Sequence, residues 1–271
     1  AMKSKFFPVI SCAFALLSLS VVAQPVDFGD GLENLSPSKV LANQDGRHEH
    51  WKGIGRIQSD NGRTCTAALI DTRTDNSPPD APAYVLTSGH CLYRTHNGVI
   101  IADQQVSGTV TFNYFADTLE HQQPFPLKRV NWSSMQGVDL AIVELQASLK
   151  TLINSGIEPL QMADEAPEAD ADILIVGAPL AFKSPYMRLA ACTHQPSGEL
   201  IEQPWVWRHT VKNQCKDLKE GGSGSPVLTR ATNHLFAVLN TATPSDGNFG
   251  NPISYLRSCF VEGQFSTDPA I

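Results

Sequence analysis

Three stretches of this sequence carry side chains suited to acid–base or nucleophilic chemistry. Leu86-Thr87-Ser88-Gly89-His90-Cys91 is an apolar strand running into a turn of small residues, and it presents a histidine beside a cysteine. Gly137-Val138-Asp139-Leu140-Ala141-Ile142-Val143-Glu144-Leu145 puts a carboxylate at the start of an apolar strand. Gly221-Gly222-Ser223-Gly224-Ser225-Pro226-Val227 surrounds a serine with residues that lack bulky side chains. Backbone N–H groups in such a loop can converge on an anion while the hydroxyl stays exposed. Taken singly, each stretch also has a plainer reading: a structural histidine next to a buried cysteine, an aspartate capping a turn, a flexible Gly/Ser loop.

The elements that must position these residues read as β-strands. After Trp51, short apolar runs at 54–57, 65–70, 84–87, 106–115 and 140–145 alternate with turn residues. The same texture returns at 173–176, 189–192, 205–211, 227–229 and 235–239. Many short strands at regular spacing predict an all-β barrel or sandwich architecture. Residues 149–172 hold Gly156, Pro159 and Pro167 with few strand features, so they read as a linker between two β units. An amphipathic stretch at 253–260 predicts a short closing helix.

Composition narrows the class. Of 271 residues, 42% are hydrophobic and 17% charged, and 19 Gly with 18 Pro argue against a coiled coil or a long acidic tail. Lys+Arg 20 against Asp+Glu 27 gives −7, which argues against a nucleic-acid binder. Lys3 and Lys5 precede an apolar run at 6–19 and then Ser20-Val21-Val22-Ala23, the layout of a signal peptide cut after Ala23. No second stretch is long enough to span a bilayer, so the mature protein is expected off the membrane. Loss of the leader removes Lys3, Lys5 and Cys12, and the 18 Lys+Arg left against 27 Asp+Glu set a charge of −9. Export implies an oxidising compartment, where Cys65, Cys91, Cys192, Cys215 and Cys259 favour disulfides, with one left over. Residues 24–50 are acidic and turn-rich and read as an N-terminal arm or pro-segment. Their His48 and His50 read as solvated residues, and neither a metal nor a cofactor is assigned.

In the order His, Asp, Ser, the three stretches together resemble the trypsin-like (chymotrypsin-fold) serine peptidases. Trp51-Lys52-Gly53-Ile54-Gly55-Arg56-Ile57, Cys65-Thr66-Ala67-Ala68-Leu69-Ile70 and Thr87-Ser88-Gly89-His90-Cys91 are similar to the opening of that family's first barrel. Gly221-Gly222-Ser223-Gly224-Ser225-Pro226 is similar to the nucleophile loop of its bacterial extracellular members. The spacings also fit, with 49 residues from His90 to Asp139 and 84 from Asp139 to Ser223. The resemblance covers about 51–260 and implies two six-stranded antiparallel Greek-key β-barrels packed together, with a short C-terminal helix. Residues 51–150 would form the first barrel, holding His90 and Asp139. Residues 151–271 would supply the linker, the second barrel with Ser223 and the C-terminal segment.

The resemblance also implies a chemistry and a partner. Ser223 would attack a peptide carbonyl, His90 would take and return its proton, and Asp139 would hold the imidazole. Gly221 and Ser223 N–H groups would form the oxyanion hole. The substrate, a protein or peptide, would pair with a strand edge near 239–242. Cys65–Cys91 would close the histidine loop and Cys192–Cys215 would brace the second barrel. Cys259 is left as a free thiol, an intermolecular link or the true partner of Cys215. Asp217 lies six residues before Ser223, where trypsin places the carboxylate that selects Arg or Lys before the scissile bond. Lys219 replaces the cysteine expected two positions later, so a solvated loop charge is the other reading. Gly222 stands where the family usually has Asp, so activation by a new N-terminus binding that Asp cannot operate. Residues 71–83 read as a surface insertion. Glutamyl endopeptidases share the Gly-Ser-Pro ending of the loop, but their pocket histidine would fall near Leu239, which cannot recognise a carboxylate. Two functions follow from the resemblance: a secreted serine endopeptidase, or a silent scaffold acting as a binding or adhesion module. The presence of all three catalytic residue types favours the enzyme.

Overall fold

The computed structural model describes residues 26–60, 63–96, 98–179, 186–243 and 245–268, so the leader expected at 1–23, with Cys12, lies outside them. In chain order the strands are β1 (Lys39–Val40), β2 (Ile54–Ser59), β3 (Thr64–Leu69), β4 (Pro82–Thr87), β5 (Ile100–Gln105), β6 (Gly108–Phe112), β7 (Gln123–Ser134) and β8 (Leu140–Ser148). They continue as β9 (Asp172–Gly177), β10 (Arg188–Thr193), β11 (Gln195–Pro196), β12 (Leu200–Glu202), β13 (Trp205–Trp207), β14 (Val211–Asn213), β15 (Pro226–Thr229), β16 (Leu235–Thr243) and β17 (Gly247–Pro252).

Strands β2, β3, β4, β8, β7 and β6 form a closed antiparallel ring, with β5 appended to β7. A second antiparallel sheet runs in the order β1-β10-β9-β15-β16-β17-β14-β11 and curves into a half-barrel. This is the chymotrypsin-like fold. The second unit differs from a closed six-stranded ring because its ladder ends at β1 and β11, two strands of only two residues each. The linker carries one short helix, α1 (Leu149–Asn154), capped by the Ser148 hydroxyl, and then bridges to both halves through Ile70–Leu160 and Met162–Leu235. The closing segment is a 3₁₀ helix, Ser254–Cys259.

Strands at the seam are buried on both faces, which explains their unbroken apolar runs. In β4 and β8, Val85 and Val143 fill the first barrel, while Leu86, Leu140 and Ile142 join the layer between the halves. In β9, Ile173 and Ile175 face the second unit and Leu174 and Val176 face the same shared layer. The turn after β4 and the residue before β8 therefore emerge where the halves meet.

The segment before Trp51 is part of the folded body. Arg230 grips Asp27 through two hydrogen bonds, β1 pairs with β10, and Leu41 is fully buried. His48 and His50 are not solvated, contrary to the sequence reading. His48 is buried and stacked on Trp51, and its ring nitrogens lie 2.6 Å from the Ala42 carbonyl and 2.7 Å from Asp30 Oδ2. Arg230 holds the Asp27 carboxyl far below the usual carboxylate range. Burial alone would raise Asp30, but the His48 and Lys39 contacts outweigh it and the carboxyl is lowered. Burial, aided by the neighbouring His48, lowers the His50 imidazole from 6.5 to about 4. Its Nε2 is buried with no hydrogen-bond partner among the described residues.

A histidine whose folded pKa is depressed favours the native state fully above its unfolded pKa and loses that contribution as pH falls toward the folded value. His50 should therefore cost stability between pH 6.5 and about 4. Replacing His50 with Phe, beside Phe28 and Trp51, should flatten the fall in melting temperature across that window. Equal slopes in both proteins would count against this assignment.

Candidate active site

His90 is delivered by the turn after β4. Gly89 opens a 3₁₀ turn, Gly89–Cys91, and a Cβ there would collide with the Ser134 carbonyl, so only glycine fits. The Cys65–Cys91 disulfide ties this turn to β3, as expected. The Asp139 carboxylate accepts the His90 backbone N–H at 2.9 Å and faces Nδ1 at 2.6 Å. With Nδ1 donating, the neutral ring leaves Nε2 as its acceptor. Asp139 is almost fully buried, whereas the His90 side chain is 18% exposed and opens to solvent on one side.

The second half clamps the Asp139 backbone. Asn251 Oδ1 accepts its N–H at 2.9 Å, and Asn240 Nδ2 donates to its carbonyl at 2.5 Å. Asn240 also donates to Ser88 Oγ, which in turn donates to the Leu239 carbonyl. These asparagines and Ser88 escaped the sequence reading, since a polar residue in an apolar run gives no sign of its buried partner.

Ser223 sits in a loop fixed from the first barrel. Thr66 N–H donates to the Ser223 carbonyl, and Thr66 Oγ1 donates to the Gly221 carbonyl. Ser225 Oγ donates to the Gly222 carbonyl, so the hydroxyl that replaces a glycine of the family pattern braces the loop from within. Gly224 has φ +85 and its missing Cβ leaves room for the Thr66 carbonyl and the Thr87 hydroxyl. Ser223 Oγ donates to the Asn240 carbonyl at 3.3 Å, and no hydrogen bond joins it to His90 among the described residues. The N–H groups of Gly221 and Ser223 have no acceptor among the described residues.

His90, Asp139 and Ser223 border one cleft of about 430 Å³, together with Trp205, Trp207 and Thr241. The structure thus brings the three together. Asp217, by contrast, does not line the cleft. It has φ +60, and its Oδ2 accepts the Ser38 N–H at 2.8 Å from the arm, with Arg188 bonded to the same serine. Cys192 and Cys215 are bridged, and Cys259 is half-buried and unbridged. The sulfurs of Cys65 and Cys91 beside His90 are spent in their disulfide, so this trio lacks the thiolates a metal would need.

The description "Trypsin-like peptidase domain" matches residues 65–238, and the chain belongs to this family of peptidases. No curated protein matches it by sequence. Solved structures of the same fold include a Glu endopeptidase, with TM-score 0.59, 15% identity, and coverage of 84% of this chain and 97% of that one. Protease Anisep from Arthrobacter nicotinovorans gives TM-score 0.52 at 15% identity, covering 74% and 90%. A mutant of human heparin binding protein gives 0.52 at 18%, covering 79% and 91%.

Adding a methyl at Gly224 forces a side chain into a left-handed backbone and against Thr66 and Thr87. Gly224→Ala should lower unfolding free energy by about 3 kcal/mol or more, read from the denaturant midpoint. An unchanged midpoint would mean that the loop is less tightly held than described.

Proposed function

We propose that the chain is an exported serine endopeptidase, with Ser223 as nucleophile, His90 as general base and then acid, and Asp139 as the group that fixes the imidazole. The observation that carries this reading is the Asp139–His90 contact of 2.6 Å opening onto the cleft that Ser223 also borders. In this mechanism the Ser223 hydroxyl turns from the Asn240 carbonyl to His90 Nε2 as a peptide enters, and attack forms a tetrahedral oxyanion. Collapse to the acyl-enzyme sends the His90 proton to the leaving amine, and water then repeats the sequence. The unspent N–H groups of Gly221 and Ser223 would receive the oxyanion, a contribution on the order of a hundredfold or more per donor in comparable sites.

Export rests on the leader and on the two disulfides. No helix among the described residues is long and apolar enough to cross a membrane. The segment at 26–50 belongs to the working enzyme in this reading, because Ser38 anchors the loop that leads to Ser223. Selection of Arg or Lys immediately before the scissile bond is the remaining finer proposal. Its support is the spacing of Asp217, while the Ser38 contacts weigh against it.

The second reading, a silent binding scaffold, is favoured by one observation: Ser223 Oγ bonds to Asn240 and not to His90. A fluorophosphonate probe separates the two. Wild type should be labelled and Ser223→Ala should not, whereas an unlabelled wild type would support the scaffold. Asp139→Asn should lower turnover by about 10⁴-fold with little change in fold, because it favours the wrong tautomer. Turnover within tenfold of wild type would remove Asp139 from the mechanism.

A further inference from the structure

Glu202 ends β12, a strand of the β12–β13 hairpin beside the cleft, and the proposed chemistry does not use it. Neutral donors hold both its carboxylate oxygens. Trp207 Nε1–H donates to Oε2 at 2.7 Å, and Thr241 Oγ1–H donates to Oε1 at 3.2 Å. Among the described residues, no Lys, Arg or His lies within ion-pairing distance of it. A carboxylate accepts about four hydrogen bonds, so roughly half its capacity is open. The result is a fixed anion on the wall of the cleft with no ion-pair partner among the described residues.

Thr241 links this anion to the strand edge along which the endopeptidase reading would place a peptide. Strand β15 pairs with β16 only as far as Val238, and β17 covers the opposite edge of β16 out to Thr243. Beyond Leu239, no strand among the described residues pairs with the cleft-facing edge of β16 at Thr241 and Ala242. An extended peptide pairing antiparallel there, with its reacting carbonyl at Ser223, runs its N-terminal side past these two residues. Trp205 and Trp207, with rings 8° from parallel, wall the same region, where a long alkyl stem packs well. Three cations, Arg63, Arg94 and Lys219, border the same cleft without ion-pairing to Glu202, and Arg94 lies over the Trp205 ring, 4.9 Å from its centroid.

We propose that Glu202 is a specificity residue that selects Lys or Arg two or three positions before the scissile bond. The inference rests on the endopeptidase reading for its register, and it is independent of Asp217, which concerns the position next to the bond.

The test is a peptide series carrying Arg, Gln or Glu at each of the four positions before the cleaved bond, assayed with wild type, Glu202→Gln and Thr241→Val at low salt. The kcat/KM ratio of Arg over Gln should be about tenfold at the second or third position in wild type. It should fall to near one in Glu202→Gln and to an intermediate value in Thr241→Val. The same peptides should bind Ser223→Ala with the same Arg preference and lose it in Ser223→Ala with Glu202→Gln. An Arg preference that survives Glu202→Gln, or that occurs only immediately before the bond, overturns the proposal. Glu202-dependent binding without any hydrolysis by wild type would support the carboxylate's role while overturning the endopeptidase reading.

Discussion

The structure turns on the contact between Asp139 and His90. One carboxylate accepts two N–H groups of the same residue, the backbone amide and the ring Nδ1–H, which fixes both the position and the tautomer of the imidazole. The carboxylate is nearly fully buried, so its charge is stabilised by these donors more than by water. The Asp139 backbone is in turn held by Asn240 and Asn251 from the other half of the molecule. The His90–Asp139 pair belongs to the first barrel in sequence but depends on the second for its placement.

That dependence explains the packing of the seam. Strands buried on both faces hold the two sheets to one shared apolar layer, and the turns carrying His90 and Asp139 emerge at its edge. The Ser223 loop is bound the other way round: it belongs to the second half and is tied to the first through Thr66. Each half therefore holds a cleft residue of the other, so a small shift at the interface would change the distance between His90 and Ser223. The arm adds a third restraint, because Ser38 bonds to Asp217 in the loop approaching Ser223.

Much of this was legible in the sequence where the chemistry is local. Unbroken apolar runs marked β4, β8 and β9, and the small-residue turns marked the histidine and serine loops. Strands β7 and β17 were not legible. Strand β7 carries Pro124, Pro126 and Lys128, while β17 reads Gly-Asn-Phe-Gly-Asn-Pro, a composition typical of turns. In β17 the buried Asn248 and Asn251 do the work of packing through side-chain hydrogen bonds, and Gly250 lets the Val238 carbonyl approach. His48 and His50 in the arm were misread as solvated because their burial depends on partners distant in sequence, such as Asp30 against His48 and Phe28 against His50, which no local pattern reveals. Glu202 gave no sign either, since one of its two partners, Thr241, lies 39 residues away on another strand.

Trapping the acyl-enzyme tests the central claim most directly. Mature protein mixed with an activated ester substrate, quenched in acid within milliseconds and digested for mass spectrometry, should show the acyl mass on the peptide containing Ser223. That adduct should form far more slowly in His90→Ala. Substrate hydrolysis with no adduct on Ser223, or with the acyl group on another residue, would contradict the account.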